Sequence, residues 1–393
     1  MSGQLQNFTH NGVEVLYDSQ KVTRQVTVDS NDFATMVNLF NESNYHAVKM
    51  VYVPTQLIDA CSKVFETVKE LANRQEFKLA ATLSGYLFER FTVLWNYYLN
   101  HERHMMGTKL WQHVCNFTWQ WEEANNAKVH KGTPYFFLGV TQLMQGNVDN
   151  AFLFVYNAME EDKRYAAQLE TPDDYKNMPA YMFSSLINDP RNYMYPYVRD
   201  ARQKIDYFIQ KHNTLLSTAF SSNDLDTKFL KNPILEEPKF SFVYNMLVMK
   251  NQENIDHANL RNNDFSKLRN LDIIFNLCLI IDEVMKQKTN ERYISDSVNN
   301  ICQNHLSERY VGDIFGSLNF ENDFENAVKK CLSLNYSYNS RAISKEVLIL
   351  VLAWGLRNRG GHNIEAKQLF VDEYENIVEK LMSALFITIE KLY

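Results

Sequence analysis

All eight prolines of this 393-residue chain fall at or before Pro238, so the run from Lys239 to Tyr393 contains none. Glycine is scarce too, at 12 residues. Proline breaks helices and glycine weakens them. A chain poor in both, with apolar residues recurring at three- and four-residue steps, extends long helices and has few places for tight turns. The expected fold class is all-α.

Helical periodicity begins near Asp32. Leu57, Cys61, Val64, Phe65, Val68 and Leu71 share one face of a helix, with Pro54 just ahead of it, where proline is tolerated. Residues 80–99 predict a second helix rich in Phe, Trp and Tyr, and residues 109–123 a third carrying Trp111, Trp119 and Trp121. Together with Trp95 these rings recur at helical spacing, which favours a core over a base-stacking surface. Before the helices, residues 1–30 alternate like a strand at Val22, Val26 and Val28, so a small β-hairpin is expected there.

After Pro134 the chain predicts a helical pair, 135–145 and 149–161, split by Gly146-Asn147. The string FFLGVTQLMQGNVDNAFLFVYNAM resembles one tetratricopeptide-type hairpin, with Ala151 and Ala158 at helix-packing positions. No second copy follows at a fixed period, so an irregular α-helical hairpin domain is expected over residues 31–216. Its expected role is to sense a regulatory ligand or protein. Residues 217–239, with Ser, Asn, Asp and two prolines, read as a linker. Residues 240–393 read as a compact helical bundle.

The net charge of −7 excludes a general nucleic-acid coating protein. Any RNA affinity must then be local, and Arg341, Lys345, Arg357, Arg359 and Lys367 stand close together in sequence against only Glu346 and Glu365. The five cysteines, at positions 61, 115, 278, 302 and 331, are odd in number and widely spaced, as reduced thiols would be. The polar N-terminus and the shortness of the apolar runs (Val347–Trp354, Ile273–Ile281) lead us to expect a soluble, cytoplasmic protein. There is no G-x-x-x-x-G-K-[ST] loop, no G-x-G-x-x-G and no G-x-S-x-G elbow. His101 and His104 are three apart, whereas the HExxH zinc helix needs four. No metal and no cofactor are expected.

One short polar break remains, Arg357-Asn358-Arg359-Gly360-Gly361-His362, between the apolar run Val347–Trp354 and a final helical pattern from Phe370 to Leu392. No other arginine in the chain has a histidine five residues on. Arginine is a permanent bidentate phosphate ligand, and histidine moves protons near neutral pH. Cleaving RNA by attack of its own 2′-hydroxyl needs a base, an acid and a cation on the phosphate. His362 and Arg357 supply these types, and Asn358 adds an amide that can orient either partner. Arg359, Lys367, Arg341 and Lys345 are candidates for sequence-tolerant contact with RNA backbone. The two glycines leave the backbone free to turn His362 toward Arg357.

The R-x4-H spacing, with Asn second and the motif between the last two helices, resembles the signature of the HEPN superfamily. The resemblance covers roughly the last third of the chain. It implies a metal-independent endoribonuclease that works as a homodimer through its C-terminal bundle. Family settings include prokaryotic antiviral defence, toxin–antitoxin pairs and RNA processing. The competing reading is a non-catalytic helical scaffold that dimerises through the same bundle. The strongly apolar run Val347–Trp354 adds to the expectation of a partner, since a short bundle hides little hydrophobic surface.

Overall fold

The computed structural model describes residues 13–15, 26–28, 55–100, 104–257, 264–360 and 368–393. The fold is all-α. Its strands are brief: Val13–Val15 (β1) pairs antiparallel with Val26–Val28 (β2), and Ser337–Tyr338 (β3) with Arg341–Ala342 (β4). Two compact units divide between Met182 and Phe183, inside a short helix over Pro179–Ser184.

In the first unit, α1 (Thr55–Asn73), α2 (Phe77–Asn100), α3 (His104–Asn125), α4 (Gly132–Met144) and α5 (Val148–Gln168) pack in sequence order. The face read from sequence on α1 is the buried one, from Cys61 to Leu71. Phe65 meets Phe88 of α2 and Phe117 and Trp121 of α3, at centroid distances of 6.1, 6.0 and 5.3 Å. Trp95 and Trp111 are fully buried, and both pack on Phe137 of α4. Trp95, Trp111 and Trp121 are thus core, whereas Trp119, expected there too, is 40% exposed and donates its indole N–H to the Tyr135 hydroxyl at 2.7 Å.

The α4–α5 turn follows its residues. Gly146 takes φ +77°, a conformation costly for a side chain, and the Asn147 side chain accepts from the Asn150 N–H at 3.3 Å to start α5. Ala151 and Ala158 are fully buried. A Cβ on Gly139 would stand 3.1 Å from the Ala151 carbonyl, so small residues set how closely the two helices approach.

Residues 217–239 are no linker. Ser221 and Asp224 form a capping box that opens α7 (Ser222–Leu225), a π turn covers Asp226–Leu230, and a 3₁₀ turn covers Pro233–Leu235. Leu225, Phe229, Leu230 and Leu235 have no exposed surface. The polar letters that suggested a loop are helix caps, and Arg202 of the preceding helix, α6 (Tyr195–Leu216), pairs with Asp226. The division instead lies more than thirty residues upstream.

The second unit continues through α8 (Glu236–His257), α9 (Asp264–Thr289), α10 (Ile294–His305), α11 (Val311–Leu318), α12 (Phe324–Ser333), α13 (Lys345–Arg359), α14 (Leu369–Asp372) and α15 (Tyr374–Leu392). Helices α9, α13 and α15 pack on one another, and α6, α8, α10 and α12 surround them. Every residue of α13 from Val347 to Leu356 is buried. A helix apolar on all sides belongs in an interior, and here that interior is the unit's own core. The apolar run therefore gives no argument for a partner.

Candidate functional site

The apolar body of α13 fixes where its polar end emerges. Ser344 caps its start by accepting from the Val347 N–H at 3.3 Å. Gly355 seats against Phe320, whose ring a Cβ there would strike at 2.3 Å. Phe320 stacks on Phe315, and Phe315 on Trp354. Two residues beyond Gly355 the helix carries Arg357.

Arg357 is anchored from one side. Its Nε donates to Asp282 Oδ2 of α9 at 2.9 Å, and Lys286 Nζ donates to the same oxygen at 2.9 Å. Asp282 is only 3% exposed, while 36% of the Arg357 side chain is exposed. Asp282 Oδ1 is buried and has no hydrogen-bond partner among the described residues. The Asn358 amide oxygen lies 3.5 Å from Arg357 Nη1, too far to hold it. Nη2 has no hydrogen bond among the described residues. One edge of the guanidinium is thus fixed, and among the described residues the outer nitrogens meet only the long Asn358 contact, a planar donor pair in type.

Arg359 points elsewhere, pairing with Glu321 at 3.0 Å in an exposed contact. Gly360 keeps right-handed helical angles (φ −57°, ψ −42°), so positive φ is not its use. Its use is space, because a Cβ there would lie 2.9 Å from the Phe275 ring. His362 and Lys367 lie outside the described residues, as do His101, Glu102 and Arg103.

Among the described residues, Arg341 and Lys345 do not form one patch with Arg357. Arg341 sits on β4 and pairs with the buried Glu308 at 3.2 Å, and Lys345 Nζ donates to the Leu215 carbonyl at 3.0 Å. Lys345 opens α13 and Arg357 nearly closes it. Twelve helical residues separate the two by about 18 Å along the axis. Their closeness in sequence is therefore not closeness in space.

Sequence reasoning missed Asp282 and Lys286. A signal existed: Asp282 follows the apolar run Ile273–Ile281, with a lysine one turn on. A carboxylate carried into a core needs a cation. In comparisons with protein-family models, with curated proteins and with solved structures, nothing matches this chain.

Proposed function

We propose that the second unit is a HEPN-like endoribonuclease domain that cleaves RNA without a metal, by attack of the 2′-hydroxyl on the adjacent phosphate. Arg357 carries the proposal: a buried carboxylate fixes one edge of its guanidinium, and among the described residues the other edge makes only a long contact with Asn358, so that it can grip a phosphate in two places. A freely moving arginine would have to be ordered by substrate, whereas a pre-positioned one stabilises developing charge with little reorganisation. His362, five residues on in sequence, is assigned the proton transfers, and Asn358 the orientation of imidazole or RNA. Arg359 contributes backbone contact at the same helix end. Arg341 and Lys345 are left out, because Lys345 opens α13 at the end opposite Arg357 and Arg341 lies on β4 before that helix begins.

The reaction calls for a base and an acid on opposite sides of the phosphorus. One chain offers one imidazole in the motif, so the proposal includes a homodimer with two Arg357–His362 pairs meeting at a two-fold axis. Leu279, 47% exposed and one turn before Asp282 on α9, gives an apolar contact for it. The first unit is assigned the sensing of a regulatory ligand or protein, in a cytoplasmic setting of defence or RNA processing. No helix among the described residues is long and apolar enough to cross a membrane.

The test is incubation of the purified protein with total RNA in excess EDTA, with product ends mapped. Products ending in 2′,3′-cyclic phosphate, and none from DNA or 2′-O-methyl RNA, are expected. His362→Ala and Arg357→Lys should each remove most of the activity, the second because an ammonium cannot reproduce the planar grip. Full activity in either variant, or activity lost with EDTA, defeats the proposal. No cleavage at all returns the chain to the scaffold reading.

A further inference from the structure

The start of α13 meets the end of α6 beside α15, and three lysines gather at that junction. Lys345, the first residue of α13, donates from Nζ to the Leu215 carbonyl in the last turn of α6 at 3.0 Å. Lys211, one turn earlier on α6, crosses to α15 and pairs with Glu379 at 3.4 Å. The next residue of α15 is Lys380.

Lys380 is 7% exposed, yet among the described residues it makes neither hydrogen bond nor ion pair. A lysine so deeply set is normally paired, because an ammonium taken from water needs a counter-charge. Its neighbour Glu379 is already engaged, accepting from the Tyr207 hydroxyl at 2.7 Å as well as pairing with Lys211. Burial holds the Lys380 pKa below its usual value, and the positive charges of Lys211 and Lys345 lower it further against the opposing pull of Glu379. The atoms that the core seals without a partner include Asn270 Oδ1 and Asp282 Oδ1 but not Lys380 Nζ, so the ammonium keeps a surface to offer a ligand.

A second, independent feature shares the junction. Helix α13 starts there, and Ser344 satisfies only the Val347 N–H through its side chain. The N–H groups of Lys345 and Glu346 have no hydrogen-bond partner among the described residues. A helix start of this kind favours negative charge. Glu346 brings one such charge on the same turn, which leaves three ammonium groups facing two carboxylates, one of them engaged.

We propose that this junction binds a phosphate group, either free phosphate or the phosphate of a nucleotide. The unmet groups are all donors and cations, so the ligand must bring acceptors and negative charge. Each ammonium has three donors, and Leu215 and Glu379 use one each on Lys345 and Lys211. Lys380 supplies the charge at the base of the site, and Lys345, Lys211 and the start of α13 close round the phosphate oxygens. None of these residues is assigned to cleavage, so the site stands whether or not the chain cuts RNA.

Calorimetric titration of the full chain with inorganic phosphate and with AMP, in chloride of constant ionic strength, tests it. Saturable binding of inorganic phosphate is expected, and tighter binding of AMP would assign the site to a nucleotide. Lys380→Met keeps the buried stem and removes the charge, and should bind phosphate roughly tenfold or more weakly. Without phosphate this variant should melt no lower than wild type, since an unpaired buried charge has gone. Phosphate should then raise the melting temperature of the wild type and leave the variant unmoved. Lys345→Gln changes an exposed side chain, should also weaken binding severalfold, and decides the matter if Lys380→Met does not fold. No saturable binding of either ligand, undiminished affinity in the folded variants, or equal protection of Lys380→Met by phosphate would each overturn the proposal.

Discussion

Arg357 and Asp282 stand 75 residues apart in sequence and share one bond, Nε to Oδ2 at 2.9 Å, at the exit of two apolar helices. Asp282 is nearly sealed from water, and its second cation, Lys286, sits one turn along the same helix. Replacing Asp282 by Asn keeps the shape and removes the charge that fixes the guanidinium. RNA cleavage should fall about tenfold or more, for a loss of roughly 1.4 kcal/mol of transition-state stabilisation or greater. Far-ultraviolet circular dichroism should be unchanged, because the apolar faces of α9 and α13 are untouched. Wild-type cleavage by this variant would show that Arg357 needs no such anchor.

A steric prediction follows from Gly355. The place of its missing Cβ is crowded by the Phe320 ring, 2.3 Å away, and Phe320 is held in turn by its stack with Phe315. Gly355→Ala should destabilise the chain by about 1–3 kcal/mol, as overpacking does. Gly316 of α11 is the control, with nothing within 4 Å of the point where a methyl group would stand. There alanine should stabilise by roughly 0.5–1 kcal/mol through helix propensity alone. Urea melts of both variants decide the point, and equal effects at the two sites would mean Phe320 yields easily.

How much of this was legible in the sequence depends on how local the cause was. Val347 to Trp354 is apolar on every side of a helix, which was legible as a surface that must be covered, but the sequence suggested a partner for it where the structure buries it in the unit's own core. The Gly146-Asn147 turn was equally readable, since its chemistry lies in two adjacent residues. Residues 217–239 misled because Ser221, Asp224 and Asn232 look alike in a loop and in a helix cap. Only the burial of Leu225, Phe229 and Leu230 separates the two. Asp282 was invisible as a partner because nothing local ties it to Arg357. Arg341 and Lys345 seemed to join Arg357, but Lys345 opens α13 at the end far from Arg357 and Arg341 precedes it on β4.

His212 predicts an acid-sensitive core. It is fully buried beside Phe220 and Phe386, and neither ring nitrogen finds a hydrogen-bond partner among the described residues. Burial, helped by the positive charge of Lys391, lowers its pKa from 6.5 to about 4. The folded chain therefore resists a proton that the unfolded chain accepts below pH 6.5. Stability is full above that pH and declines as the pH falls toward 4. At pH 5 the loss from this group is about 2 kcal/mol. His212→Leu should be at least as stable as wild type at pH 7 and should lose less on going to pH 5. Identical losses for both proteins in urea melts would exclude His212 as the source.

The composite site predicts a dose response that a self-contained one cannot give. If each scissile phosphate needs imidazoles from two chains, His362→Ala subunits poison the wild-type subunits they pair with. Adding an excess of that variant to a fixed amount of wild type, with time for exchange, should then lower total cleavage toward zero. The remaining active dimers are those in which both chains are wild type, so the fall is steeper than dilution alone. Wild-type specific activity should also drop on dilution below the dimer dissociation constant, and light scattering over the same range should report the monomer. In such a dimer the guanidinium groups would face each other across the axis and repel, so RNA should shift both curves toward the dimer and high salt should weaken RNA binding. Cleavage that ignores added His362→Ala protein would place all the chemistry within one chain, and Arg357 with its Asp282 anchor would then act beside a proton donor other than a second His362.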